Sequence, residues 1–246
     1  MSDSFVMLMS AIYNEVMNLR KGLTIVGLLF IILIVSSELL LPRLVTGALR
    51  ERLVDRVATD DVTVNISTRP ACLMLLGSFD NLEAVAHNAK VGQVYVKELT
   101  LTGTDVKLNA DALLSNDEVA VKSAKSLELK GIIDEENLRE VLSRKIDKVE
   151  NLAVSIDPDS VNVTANIKIF GRMADVDLEG KVVEDSGSLY FIMNRLDIKN
   201  TRLGTARLGD LFGNIQLAAV GTLPMGLKIT DVKQTHGTIV VTADNK

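Results

Sequence analysis

Two histidines and four clusters of carboxylates are the side chains through which this sequence could do acid–base or metal chemistry. His87 and His236 each lie in polar, turn-like stretches with no second histidine close by. A general base needs an orienting partner and a positioned nucleophile, and neither accompanies them. The carboxylates gather as Asp60-Asp61, Asp134-Glu135-Glu136, Asp157 with Asp159, and Asp175 with Asp177. Such groups can share a proton or hold calcium. Their settings read otherwise: the first and third flank turns, the second opens a helix, and Asp175 and Asp177 alternate with Val176 and Leu178 as on the wet face of a strand. An enzyme reading would have to use Asp157, Asp159 and His87. The G-x-S-x-G elbow, the G-x-x-x-x-G-K-[ST] phosphate loop and H-E-x-x-H are all missing. Cys72 is the single cysteine, which leaves no internal disulfide and no multi-cysteine zinc site. No catalytic residue, metal ligand or cofactor is therefore assigned.

Composition narrows the remaining classes. The net charge is −5 and the 27 basic residues are scattered among 32 acidic ones, so the electrostatic footprint of a nucleic-acid binder is missing. Aromatic residues make up 4% of the chain and tryptophan is absent, so the apolar 47% is mostly aliphatic. Surfaces lined this way suit acyl chains better than stacked bases or sugars.

The run Gly22–Leu41, GLTIVGLLFIILIVSSELLL, is close to the length of about 20 apolar residues that spans a bilayer. It is read as an anchor, with a cleaved signal ending near Val35-Ser36-Ser37 as the alternative. Arg20 and Lys21 before it point to a cytoplasmic N-terminus. The chain then divides into a cytoplasmic segment, residues 1–21, the anchor, residues 22–41, and one domain outside the cytoplasm, residues 42–246. The expected location is a single-pass inner-membrane protein. Phe5, Met9, Ile12, Val16 and Leu19 have helical spacing ahead of the anchor.

Past Pro42, Val45, Leu49, Leu53 and Val57 form a helical stripe. At Val62 the period changes to two, and VNVTANIKIF at 161–170 is the clearest alternating strand. Further strands are expected near 92–101, 119–129, 176–183, 189–198 and 238–241, joined by turns such as Asp157-Pro158-Asp159-Ser160 and Asp185-Ser186-Gly187. Asp134 as N-cap, with Leu138, Val141, Leu142, Ile146 and Val149 on one face, predicts a second helix. A short third helix is expected over about 206–212. These elements predict an α+β fold in which a strongly bent antiparallel sheet wraps a few helices.

The order of features resembles the LmeA-type phospholipid-binding family, whose architecture is related to the tubular lipid-binding proteins. The likeness covers roughly residues 42–243. It rests on Arg69-Pro70 closing a first strand, on Leu76-Gly77-Ser78-Phe79-Asp80, on VYVKELTLTGTDVKL, on GIIDEENLREVL and on LPMGLKITDVKQTHGTIVV. The resemblance implies binding of phospholipid, a role in the cell envelope and no catalytic residue to carry over. A tunnel between helices and concave sheet would be lined by apolar residues of helix faces and mid-strand positions. Leu49, Leu53, Leu76, Phe79, Leu142, Phe191 and Phe212 are the expected lipid contacts. The expected partners are phospholipid or another acyl-chain lipid, the bilayer and other envelope proteins, with no nucleic acid. A structural or adaptor module holding another envelope protein is the alternative function.

Overall fold

The computed structural model describes residues 2–91, 94–109, 121–145, 149–169, 172–199, 214–219, 221 and 223–245. It opens on one helix, α1 (Ser2–Val57), which continues through Pro42 without a break. The apolar run and the arginine-bearing stretch after it are one rod, roughly 84 Å long at 1.5 Å per residue. Part of α1 is long and apolar enough to cross a membrane. Leu28, Phe30, Ile32 and Leu40 there are exposed rather than packed on the domain.

The strands before the second helix are β1 (Val62–Ser67), β2 (Ser78–Val91), β3 (Val94–Leu108), β4 (Val121–Ser123) and β5 (Ser126–Asp134). After α2 (Glu135–Lys145) come β6 (Val149–Ile156), β7 (Val161–Ile169), β8 (Arg172–Asp185), β9 (Ser188–Lys199), β10 (Ile215–Ala218), β11 (Lys228–Thr235) and β12 (Thr238–Asp244). They pair antiparallel in two sheets. The first has the order β1-β2-β3-β5-β12-β11 with β4 beside β3, and the second β10-β9-β8-β7-β6. The C-terminal hairpin thus returns across the chain to pair with β5. The fold is α+β: a strongly curled sheet, few helices and an N-terminal apolar helix.

Local chemistry accounts for several of these boundaries. Asp134 caps α2: its Oδ1 accepts from the Asn137 N–H at 2.9 Å, while Glu135 and Glu136 sit in the first turn beside the helix's positive end. Ser186 (φ 53°) and Gly187 (φ 79°) take the two left-handed positions of a tight hairpin between β8 and β9. A register shift at Glu179/Gly180 bends β8 over Phe191, and a Cβ on Gly180 would lie 2.5 Å from that ring. Only glycine fits there without a shift.

α2 ends at Lys145, short of the expected boundary, and Val149 begins β6 instead. The apolar spacing that carries the helical reading to Val149 is also compatible with the first residue of a strand. Strands β2, β6, β10 and β11 are additional to the expected set. The helix expected over 206–212 lies outside the described residues. Gln234, buried on β11, ties the two sheets together: its Oε1 accepts from the Val182 N–H at 3.0 Å and its Nε2 donates to the Asp157 carbonyl at 3.1 Å.

Candidate functional site

The last turns of α1 lie across the concave face of the first sheet. Leu49, Leu53 and Val57 are four residues apart, so they share one face; Leu49 and Val57 are buried and Leu53 half-buried. Arg50 holds this end of the helix in place, its Nε donating to the Val62 carbonyl at 2.7 Å and its guanidinium to the Asp60 carbonyl at 2.9 Å. Beneath the helix the alternation of the strands brings one row of side chains inward: Val62 and Val64 from β1, Leu82, Ala84 and Ala86 from β2, Leu99, Leu101 and Leu108 from β3, and Leu129 from β5. Ala84 and Ala86 are too small to reach the helix. The space left over is a cavity of about 470 Å³ between α1 and the sheet, with Met225 at its wall. Arg52, Asp55 and Arg56 are its polar lining, and Asp55 and Arg56 are exposed, which marks that side as the mouth.

A smaller cavity of about 40 Å³ is lined by Val96, Ile133, Leu189, Leu223, Ile229 and Val241 among others. Leu99 and Leu129 line both cavities. Among the described residues, these two side chains are all that the two linings share.

An apolar chamber with a charged mouth accepts an amphiphile: the chain of the ligand loses contact with water and its polar end stays at the rim. The volume falls within the range of about 300–1,000 Å³ usual for small-molecule sites. The two histidines lie elsewhere, each beside a carboxylate. His87 Nδ1 is 3.3 Å from Asp61 and its Nε2 3.8 Å from Glu98. His236 Nδ1 is 3.3 Å from Asp157. Of the candidate enzymic trio, His87 and Asp157 thus sit in two different pairings, and Asp159 is exposed. Arg139 hydrogen-bonds Glu136 and holds its carboxyl below the usual range, while Asp177 raises Lys199 in the same way. Both pairs are outside the cavity lining. Among the described residues no group of three or more His, Cys, Asp or Glu could hold a metal ion.

The model of one family, described as LmeA-like phospholipid-binding, matches residues 38–244. The chain belongs to the LmeA-like phospholipid-binding family. No curated protein and no solved structure matches the chain significantly. The family match begins inside α1, at Glu38, and takes in every element that lines the cavity.

Of the residues nominated from sequence, Leu49 and Leu53 line the chamber. Phe79, Leu142 and Phe191 have no exposed surface and pack in the core outside both cavity linings. Leu76 is 69% exposed, at the end of a 3₁₀ segment, and Phe212 lies outside the described residues. Sequence reading passed over Ala84, Ala86, Leu99 and Leu129. A signal was present in Leu82-x-Ala84-x-Ala86, where period-two apolar residues are unusually small.

Proposed function

We propose that this LmeA-like protein is a membrane-anchored phospholipid-binding protein of the cell envelope that handles lipid without catalysis. The observation that carries the reading is the aliphatic chamber under α1 with Arg52 and Arg56 at its mouth. Each methylene moved from water into such a chamber contributes about 0.8 kcal/mol, and the guanidiniums at the rim complement a phosphate headgroup. Leu49 and Leu53 belong to the helical wall of this chamber; Phe79, Leu142 and Phe191 pack in the core and Leu76 lies at the surface.

The exposed apolar stretch of α1 supports the anchor, with Arg20 and Lys21 favouring a cytoplasmic N-terminus and a domain outside. Because α1 is continuous, the anchor also supplies the lid of the chamber. Lipid leaving the bilayer would then have only a short distance to travel to the mouth.

Native mass spectrometry of the full chain, released from membranes in mild detergent, should show one bound phospholipid. Protein that is lipid-free and takes up no added phospholipid from vesicles would exclude the reading.

A further inference from the structure

Between β1 and β2 the residues Ala71–Leu76 form a 3₁₀ segment that lies against α1. One hydrogen bond sets its height on the helix: the Ala71 N–H donates to Glu38 Oε1 at 2.9 Å. The segment is firmly ended as well. Gly77, at φ 75°, donates its N–H to the Met74 carbonyl, and the Arg69 N–H donates to Asp80 Oδ2.

Three residues per turn give such a segment three edges. Ala71 and Met74 form the inward edge, each 1% exposed. Cys72 and Leu75 form an outward edge, and Leu76 ends the third. Leu75 and Leu76 are 54% and 69% exposed, and no residue of the segment is polar. Two adjacent exposed leucines on a segment packed against α1, where Leu39, Leu40 and Leu44 are exposed too, concentrate apolar surface at one level of the helix, which marks an interaction site.

Position along α1 identifies the partner. Glu38 stands three residues before the end of the run Gly22–Leu41, about 5 Å along the axis. If that run crosses a hydrocarbon layer of about 30 Å, the 3₁₀ segment stands at the outer boundary of the layer. Arg43 and Arg69, both exposed, lie close by in the chain, as suits a level occupied by phosphate headgroups.

We propose that Ala71–Leu76 is a second membrane contact, with Leu75 and Leu76 inserted in the interfacial region of the bilayer that α1 crosses. The inference rests on reading α1 as an uncleaved anchor. One helix alone leaves the domain free to turn about the helix axis; a second contact removes that freedom and holds the chamber at one orientation to the lipid surface.

Cys72, exposed and the only cysteine, takes a single nitrobenzoxadiazole label on the full chain. The reference is the same label on Ser186→Cys in a Cys72→Ser background, at the exposed β8–β9 turn. Both proteins are reconstituted into vesicles of equal parts phosphatidylglycerol and phosphatidylethanolamine. The Cys72 label should emit to the blue of the reference, resist aqueous iodide several-fold better and be quenched by lipid carrying a nitroxide near the headgroup. Leu75→Asp with Leu76→Asp alters exposed side chains only, and should return the Cys72 label to the reference values without lowering Tm. Protein that stays with the vesicles through carbonate extraction while its Cys72 label behaves like the reference overturns the second contact alone. So does a double variant whose label remains shielded. Protein released by carbonate overturns the anchor, and this inference with it.

Discussion

Ala84 and Ala86 matter through the atoms they lack. Both are buried and both line the chamber, where leucine or valine at the same positions would reach toward α1 and fill the space. Ala86→Phe adds a ring where there is room for one, so it should avoid most of the 1–3 kcal/mol, roughly, that overpacking a dense core costs. The expected outcome is an unchanged Tm, within a few degrees, with most bound phospholipid lost by native mass spectrometry. A lowered Tm with lipid per folded molecule unchanged would show that Ala86 sits in ordinary core. Phe191 is the contrasting case. Gly180 closes over its ring at a distance that excludes any Cβ, so this phenylalanine is fixed in the second sheet and away from the chamber. Gly180→Ala should cost about 1–3 kcal/mol by the same overpacking, read as a lower urea midpoint, and should leave lipid occupancy of the folded fraction unchanged; lipid loss without destabilisation would contradict that assignment.

At the scale of elements, a buried amide helps to join the two sheets, beside the Gly237 N–H that donates to the Ile156 carbonyl at 2.9 Å. Val182 lies beyond the stretch of β8 that pairs with β7, and its N–H is satisfied by Gln234 rather than by a strand. Gln234→Ala leaves that donor and the Asp157 carbonyl without this partner, a cost of about 1–3 kcal/mol, and should lower Tm by several degrees. An unaltered Tm would mean that water replaces the amide without loss. Elements whose signals are local were legible in the sequence: the Leu49, Leu53 and Val57 stripe, the Asp134 cap, the Ser186-Gly187 turn and the alternation of β7 all depend on neighbours within a few residues. β2 was hidden because alanines and the left-handed Asn88 dilute its β character. β6 was hidden because Val149 also fits the apolar face of the preceding helix. The chamber itself was beyond reach, since its walls come from strands paired across gaps of tens of residues, such as Leu101 with Leu129 and Val64 with Ala84. Helix periodicity alone gives one wall, which is why Leu49 and Leu53 line the chamber and the nominated phenylalanines of the described residues lie in the core.

At the scale of the whole molecule, the two cavities share a partition. The larger chamber lies under α1 and the smaller one faces β9, β11 and β12, with Leu99 and Leu129 lining both. These residues sit on neighbouring strands, Leu99 opposite Gly131 and Leu129 opposite Leu101, so their side chains rise from the same face of the sheet. Gly131 supplies no side chain between them, and a Cβ added there would meet the Leu99 methyl at 3.8 Å. A rotamer change of either leucine would therefore lengthen the chamber toward the second sheet without moving a strand. The reach of the site, and with it the longest acyl chain held fully out of water, should depend on this pair. Leu99→Ala should cost about 2–5 kcal/mol in the lipid-free protein, part of which bound lipid offsets by stabilising the folded state alone. Phospholipid co-purifying with Leu99→Ala or Leu129→Ala should shift to longer acyl chains than in the parent from the same cells, read as the mass distribution of the released lipid. Leu99→Phe should shift it to shorter ones. An identical distribution in all four proteins would show that the partition stays closed and that the chamber under α1 is the entire site.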